Sequence, residues 1–104
     1  MKLITAVIRN ICLDKVITEL NNIGVKGMTV FAVKGRGEEV VLYRDYSLHS
    51  RIEIIAPDHE VDKVRQTILD VSCTGERGDG VITVQDIREF TRIRTGKTIS
   101  SEGA

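Results

Sequence analysis

Alternation of side chains predicts the first element. Residues 2 to 9 place Leu3, Thr5 and Val7 on one face of a strand and Ile4, Ala6 and Ile8 on the other, so the strand is apolar on both sides. Leu13, Val16, Ile17, Leu20 and Ile23 then recur at helical spacing, with Gly24 placed to stop the helix in a left-handed cap. Lys26 to Lys34 carries Met28, Val30 and Ala32 against Thr29, Phe31 and Val33, a second strand with two apolar faces, closed by Gly35-Arg36-Gly37. Residues 36 to 50 project, either as an extension of that strand or as a hairpin whose tip is Arg44-Asp45. Arg51 to Ala56 puts Ile52, Ile54 and Ala56 on one side and Ile55 on the other, ending at Pro57. Asp58 is then the expected N-cap of a second helix whose buried stripe is Val61, Val64, Ile68 and Val71. Val81 to Val84 is a short fourth strand, followed by a last helical turn packed through Ile87 and Phe90.

The order β-α-β-β-α-β is the α+β, ferredoxin-like pattern, a four-stranded antiparallel sheet with both helices on one face. Two helices cover one face only. Because the first two strands carry apolar side chains on the other face as well, a neighbouring copy is the expected cover, and a closed homo-oligomer follows.

Composition narrows the picture. One hundred and four residues make one domain with one core, expected over residues 1–96, with the projecting loop at about 36–50 and a flexible tail over 97–104. Lys plus Arg equals Asp plus Glu at 15 each, so no chain-wide basic field exists to hold nucleic acid, and any anion site must be local. The apolar runs are far shorter than a membrane span and the first residues alternate like a strand rather than a signal peptide, which predicts a cytoplasmic protein without membrane insertion. Cys12 and Cys73 form no Cys-x-x-Cys pair and are read as buried or half-buried free thiols.

The candidate chemistry lies in Thr74-Gly75-Glu76-Arg77-Gly78-Asp79-Gly80. Three glycines in six positions make a loop, and glycine lets backbone N–H groups close around an anion. Twelve residues past Gly80 begins Arg92-Ile93-Arg94-Thr95-Gly96-Lys97, where arginines at i and i+2 of an extended segment share a side. Two guanidinium forks and a glycine loop suit a polyphosphate. Each motif alone reads first as a turn or as solvated surface charge; their joint occurrence raises the anion-site reading.

Several segments resemble, in order and spacing, the P-II signal-transduction proteins. They are residues 1–8, Ile23-Gly24-Val25-Lys26-Gly27-Met28-Thr29-Val30, Val33-Lys34-Gly35-x-Gly37, Thr74-Gly75-x-x-Gly78-Asp79-Gly80 and Arg92-Ile93-Arg94-Thr95-Gly96. The resemblance implies a homotrimer of ferredoxin-like units whose clefts between subunits bind ATP or ADP, with AMP a further candidate and magnesium left open. It also implies a projecting loop, here with Leu42, Tyr43, Arg44 and Tyr46, that docks on a membrane transporter or a metabolic enzyme. Carried over, Thr29 lies near the adenine, Gly35 and Gly37 at the loop base near the phosphates, and Thr74, Gly78, Asp79 and Gly80 around ribose and phosphates. Arg92 and Arg94 reach the phosphates from the adjacent subunit.

The departures from the family pattern are informative. Val81 stands where the family usually has a lysine for phosphate and 2-oxoglutarate, and Glu38-Glu39 stands where it usually has Arg-Gln. The projecting loop is several residues short. These predict that the 2-oxoglutarate response is lost and that the partner differs from the usual nitrogen enzymes. Other readings stay open: a metal-responsive trimer related to divalent-cation tolerance proteins, using His49, His59, Cys12 or Cys73, or a regulator of an ion, bicarbonate or metal transporter. The metal reading has no ligand spacing behind it, and no nucleophile with an adjacent base points to an enzyme.

Overall fold

The computed structural model describes residues 1–34 and 49–100. Strand β1 (Lys2–Arg9), helix α1 (Leu13–Asn22), strands β2 (Thr29–Val33) and β3 (His49–Ala56), helix α2 (Val61–Ser72) and strand β4 (Gly80–Asp86) follow the predicted order. They form an antiparallel sheet in the order β2-β3-β1-β4, the ferredoxin-like arrangement, which leaves β2 and β4 as its two edges. Strands β5 (Glu89–Thr91) and β6 (Thr98–Ser100) pair as a separate hairpin.

The core is the meeting of two periodicities. Ile4, Ala6 and Ile8 lie in register with Ile54, Ile52 and Ser50, so one face of the central strands is nearly all apolar. Against it pack Val16 and Leu20 of α1 and Val61, Val64 and Ile68 of α2, all buried. Helix α1 ends as its sequence predicts. Gly24 takes φ 94°, its N–H donates to the Asn21 carbonyl, and the Val25 N–H donates to the Leu20 carbonyl at 3.0 Å, the paired bonds of a Schellman cap.

The other face of the sheet is open. Phe31, Ile55 and Val81 are 44%, 45% and 42% exposed there, with the Arg51 guanidinium 5.7 Å from the Phe31 ring centre. Strand β2 is exposed from Thr29 to Ala32.

Five local expectations change. Asp58 does not cap α2 with its side chain: residues Asp58–Glu60 form a 3-10 turn, and the carboxylate instead accepts from the Met1 ammonium at 3.0 Å. The helical turn expected at Ile87 and Phe90 is absent: Ile87 precedes strand β5, and Phe90 within that strand pairs with Ile99 across the hairpin. Arg92 and Arg94 therefore sit on the connecting turn rather than on an extended segment, with the Gly96 N–H donating to the Arg92 carbonyl at 2.7 Å. Strand β6 (Thr98–Ser100) lies within residues 97–104, where a tail without secondary structure was expected. Cys73 is exposed rather than buried, while Cys12 is half-buried.

Candidate functional site

The glycine loop is organised by its own acid. Asp79 accepts from the N–H groups of Thr74 at 2.8 Å and Gly75 at 2.9 Å and from the Thr74 hydroxyl. It also faces Arg9, whose Nε lies 3.4 Å away. The Thr74 hydroxyl, then the two backbone donors and Arg9, hold the Asp79 carboxyl at about 2 against the opposing effect of burial. The predicted Asp79 and Thr74 are thus engaged with each other.

Arg9, which the sequence did not point to, and His49, weighed there only as a metal ligand, clamp this loop from the sheet. Arg9, at the end of β1, donates to the Arg77 carbonyl at 2.7 Å, and a Cβ on Gly78 would lie 3.1 Å from its guanidinium. His49, buried at the start of β3, has Nε2 2.8 Å from the Gly78 carbonyl oxygen. Arg9 and His49 face each other in the β1–β3 register, so the end of the sheet is the seat of the loop. No signal in the sequence links them, since His49 and Gly78 are separated by 29 positions.

Gly80 opens β4 opposite Ile8, with φ 109°. Only glycine fits: a Cβ there would meet the Val7 carbonyl oxygen at 1.7 Å.

A second depression lies toward the β2 edge. Its walls include Met28, Thr29, Glu53, Ile55, Phe90 and Arg92. The chain thus brings predicted Thr29 and Arg92 together and adds Glu53, which pairs in register with Thr29. Arg92 also stands 5.4 Å from the Phe90 ring centre. Arg94 is not part of that wall; it lines a groove on the hairpin itself together with Arg92, Thr95, Lys97 and Ile99, so Arg92 borders both.

The glycine loop and the Thr29–Arg92 depression do not meet within one chain. Asp79 and Gly80 line a cleft at the β4 side, and Thr29 and Arg92 line one at the β2 side, at opposite edges of the sheet. Gly35, Gly37, Leu42, Tyr43, Arg44 and Tyr46, together with Glu38 and Glu39, lie outside the described residues. Among the described residues no group of three His, Cys, Asp or Glu side chains is arranged to hold a metal ion, and no helix is long and apolar enough to cross a membrane.

The family description "Nitrogen regulatory protein P-II" matches residues 1–97. The chain is 42% identical to nitrogen regulatory protein P-II 1 of Escherichia coli K12, over 93% of this chain and 95% of that protein. It is 39% identical to nitrogen regulatory protein P-II 2 of Methanothermobacter thermautotrophicus, over 94% and 93%, and 38% identical to the P-II protein of Pasteurella multocida, over 93% and 95%.

Proposed function

The chain belongs to the P-II family of nitrogen regulatory proteins, and on that premise we propose that it senses adenine nucleotides as a cytoplasmic homotrimer. ATP or ADP is the effector, and the segment after β2 carries the nucleotide state to a transporter or a metabolic enzyme. The protein acts as a regulator, not a catalyst.

One observation supports this reading: the glycine loop and the Thr29–Arg92 depression lie at opposite edges of the same sheet. A surface patch on one edge that complements a different patch on the other generates a ring when the rotation closes. In such a ring the Gly78–Gly80 loop of one copy faces the Thr29, Glu53 and Arg92 wall of the next. The loop supplies backbone donors, and Arg92 and Arg94 supply guanidinium forks. The apolar strip of Phe31, Ile55 and Val81 on the open sheet face gives the copies a reason to associate.

The oxo-acid response is absent in this reading. Val81, exposed beside the glycine loop, offers no charge where a lysine would meet a carboxylate.

Melting scans with ATP, ADP, AMP and cyclic AMP, each with and without 2-oxoglutarate, test the proposal. A nucleotide at a hundredfold excess over its dissociation constant stabilises by about 2.7 kcal/mol. At roughly 4–8 °C per kcal/mol, the midpoint rises by more than about 10 °C. The double variant Arg92→Ala/Arg94→Ala loses that rise while melting normally without nucleotide. A monomer in solution, or midpoints indifferent to ATP and ADP, defeats the proposal; strong enhancement by 2-oxoglutarate defeats its second part.

A further inference from the structure

A cleft of about 360 Å³ opens between α2 and the β4 edge, with walls that include Ile8, Ile68, Leu69, Ser72, Cys73 and Ile82. Its lining is mostly apolar, and Leu69 at its mouth is 39% exposed. Ser72 is 6% exposed, yet its hydroxyl has no hydrogen-bond partner among the described residues. A buried hydroxyl without a partner is costly, so the cleft is built for something that supplies one.

The hairpin turn carries the complementary feature. Ile93 is 98% exposed, held out at the tip between Arg92 and Arg94. The backbone bonds that close the turn use Arg92, Thr95, Gly96 and Lys97, and none of them uses Ile93 or Arg94. The tip therefore presents an apolar side chain together with backbone donors and acceptors that are uncommitted among the described residues. It cannot reach the cleft of its own chain, since Arg92 lies against the β2 side and the cleft lies at the β4 side.

We propose that the cleft between α2 and β4 receives Ile93 from the hairpin of a second copy of this chain, with the Ser72 hydroxyl hydrogen-bonded to the backbone of that turn. The inference rests on the ring proposed above and names its locking contact. Asp79 and Gly80 line both the cleft and the glycine loop. A tip that delivers Arg92 and Arg94 to that loop brings the residue between them to the mouth of the cleft. The contact is head-to-tail, so each copy both gives an isoleucine and receives one.

Cysteine cross-linking tests this, because Cys73 already lines the cleft. In a Cys12→Ser background, Ile93→Cys treated with diamide is expected to join Cys73 of the neighbouring copy. Non-reducing electrophoresis then shows linked species of two and three chains holding most of the protein. Adding Cys73→Ser removes them. Ile93→Asp raises at least tenfold the concentration at which the copies separate in light scattering. If light scattering shows a multimer but diamide leaves single chains, or if the linked bands survive Cys73→Ser, the Ile93 contact is wrong while the nucleotide reading stands. If the bands form but no nucleotide shifts the melting point, the contact stands and the nucleotide reading fails. A monomer that does not cross-link removes both.

Discussion

Replacing Gly80 by alanine separates two costs that a glycine in a loop is usually assumed to share. At Gly75 the backbone has φ 81° but a new Cβ would meet nothing within 4 Å, so alanine there bears only the penalty of a left-handed conformation. That is about 1–2 kcal/mol, partly offset by the lower entropy of the unfolded chain. At Gly80 the φ of 109° is accompanied by a contact of 1.7 Å to the Val7 carbonyl oxygen and 2.8 Å to its carbon. The obstructing atoms are backbone of the central strand and cannot rotate away. The Gly80 end of β4 must therefore lift from β1, giving up ladder hydrogen bonds at roughly 0.5–1.5 kcal/mol each in addition to residual strain of about 1–3 kcal/mol. A total of about 3–5 kcal/mol is expected, against about 1 for Gly75→Ala. With a midpoint shift of roughly 4–8 °C per kcal/mol, Gly80→Ala melts at least about 12 °C below the parent. Both variants are scanned without nucleotide and at one protein concentration, since association raises the midpoint by mass action. Midpoints for the two alanine variants within a few degrees of each other would show that the close approach of β4 to Val7 is not a constraint.

The remaining predictions concern charge. Asp79 is held at about 2, below its unfolded value of 3.8, so its contribution to stability is fully present above about pH 4 and is lost as pH falls toward 2. The shift corresponds to about 2 kcal/mol, and Asp79→Asn, followed by acid titration of the folded fraction, flattens the stability profile between pH 4 and 2. An unchanged acid limb would mean that the Thr74 and Gly75 donors do not favour the charged form. Arg51→Ala removes an exposed ion pair with Glu53 at 2.7 Å and a contact with Phe31, and costs no more than about 1 kcal/mol in urea unfolding. A larger loss would mean that the open sheet face is already covered in solution.

The main elements were legible because each is longer than the period that betrays it. Eight alternating residues of β1 and three turns of α2 leave a pattern; Gly24 announces the end of α1 by the one conformation it permits cheaply. Strands β5 and β6 have three residues each, too few to show an alternation, and their pairing depends on a turn that Thr95 and Gly96 close through the Arg92 carbonyl. Asp58 was misread because Asp after Pro is a good cap in isolation, whereas here the N-terminal ammonium competes for the same carboxylate and lowers its pKa. Arg9 and His49 were invisible as a clamp because their partnership exists only once β1 and β3 are in register.

The same reasoning explains why the candidate site is half legible. The glycine loop and Arg92 are close in sequence, which suggests neighbours in space. Between them runs β4, seven residues that carry the chain about 20 Å along the sheet, and β5 then turns toward the opposite edge. Proximity in sequence is thus converted by one strand into separation in space. What the two segments retain is complementarity: one offers donors and a cleft with a hydroxyl that has no partner among the described residues, the other guanidinium groups and an exposed isoleucine. Partners placed at opposite edges of a single sheet are joined by repetition of the chain in a head-to-tail ring, and this is the ground for our proposal that a second copy completes the site.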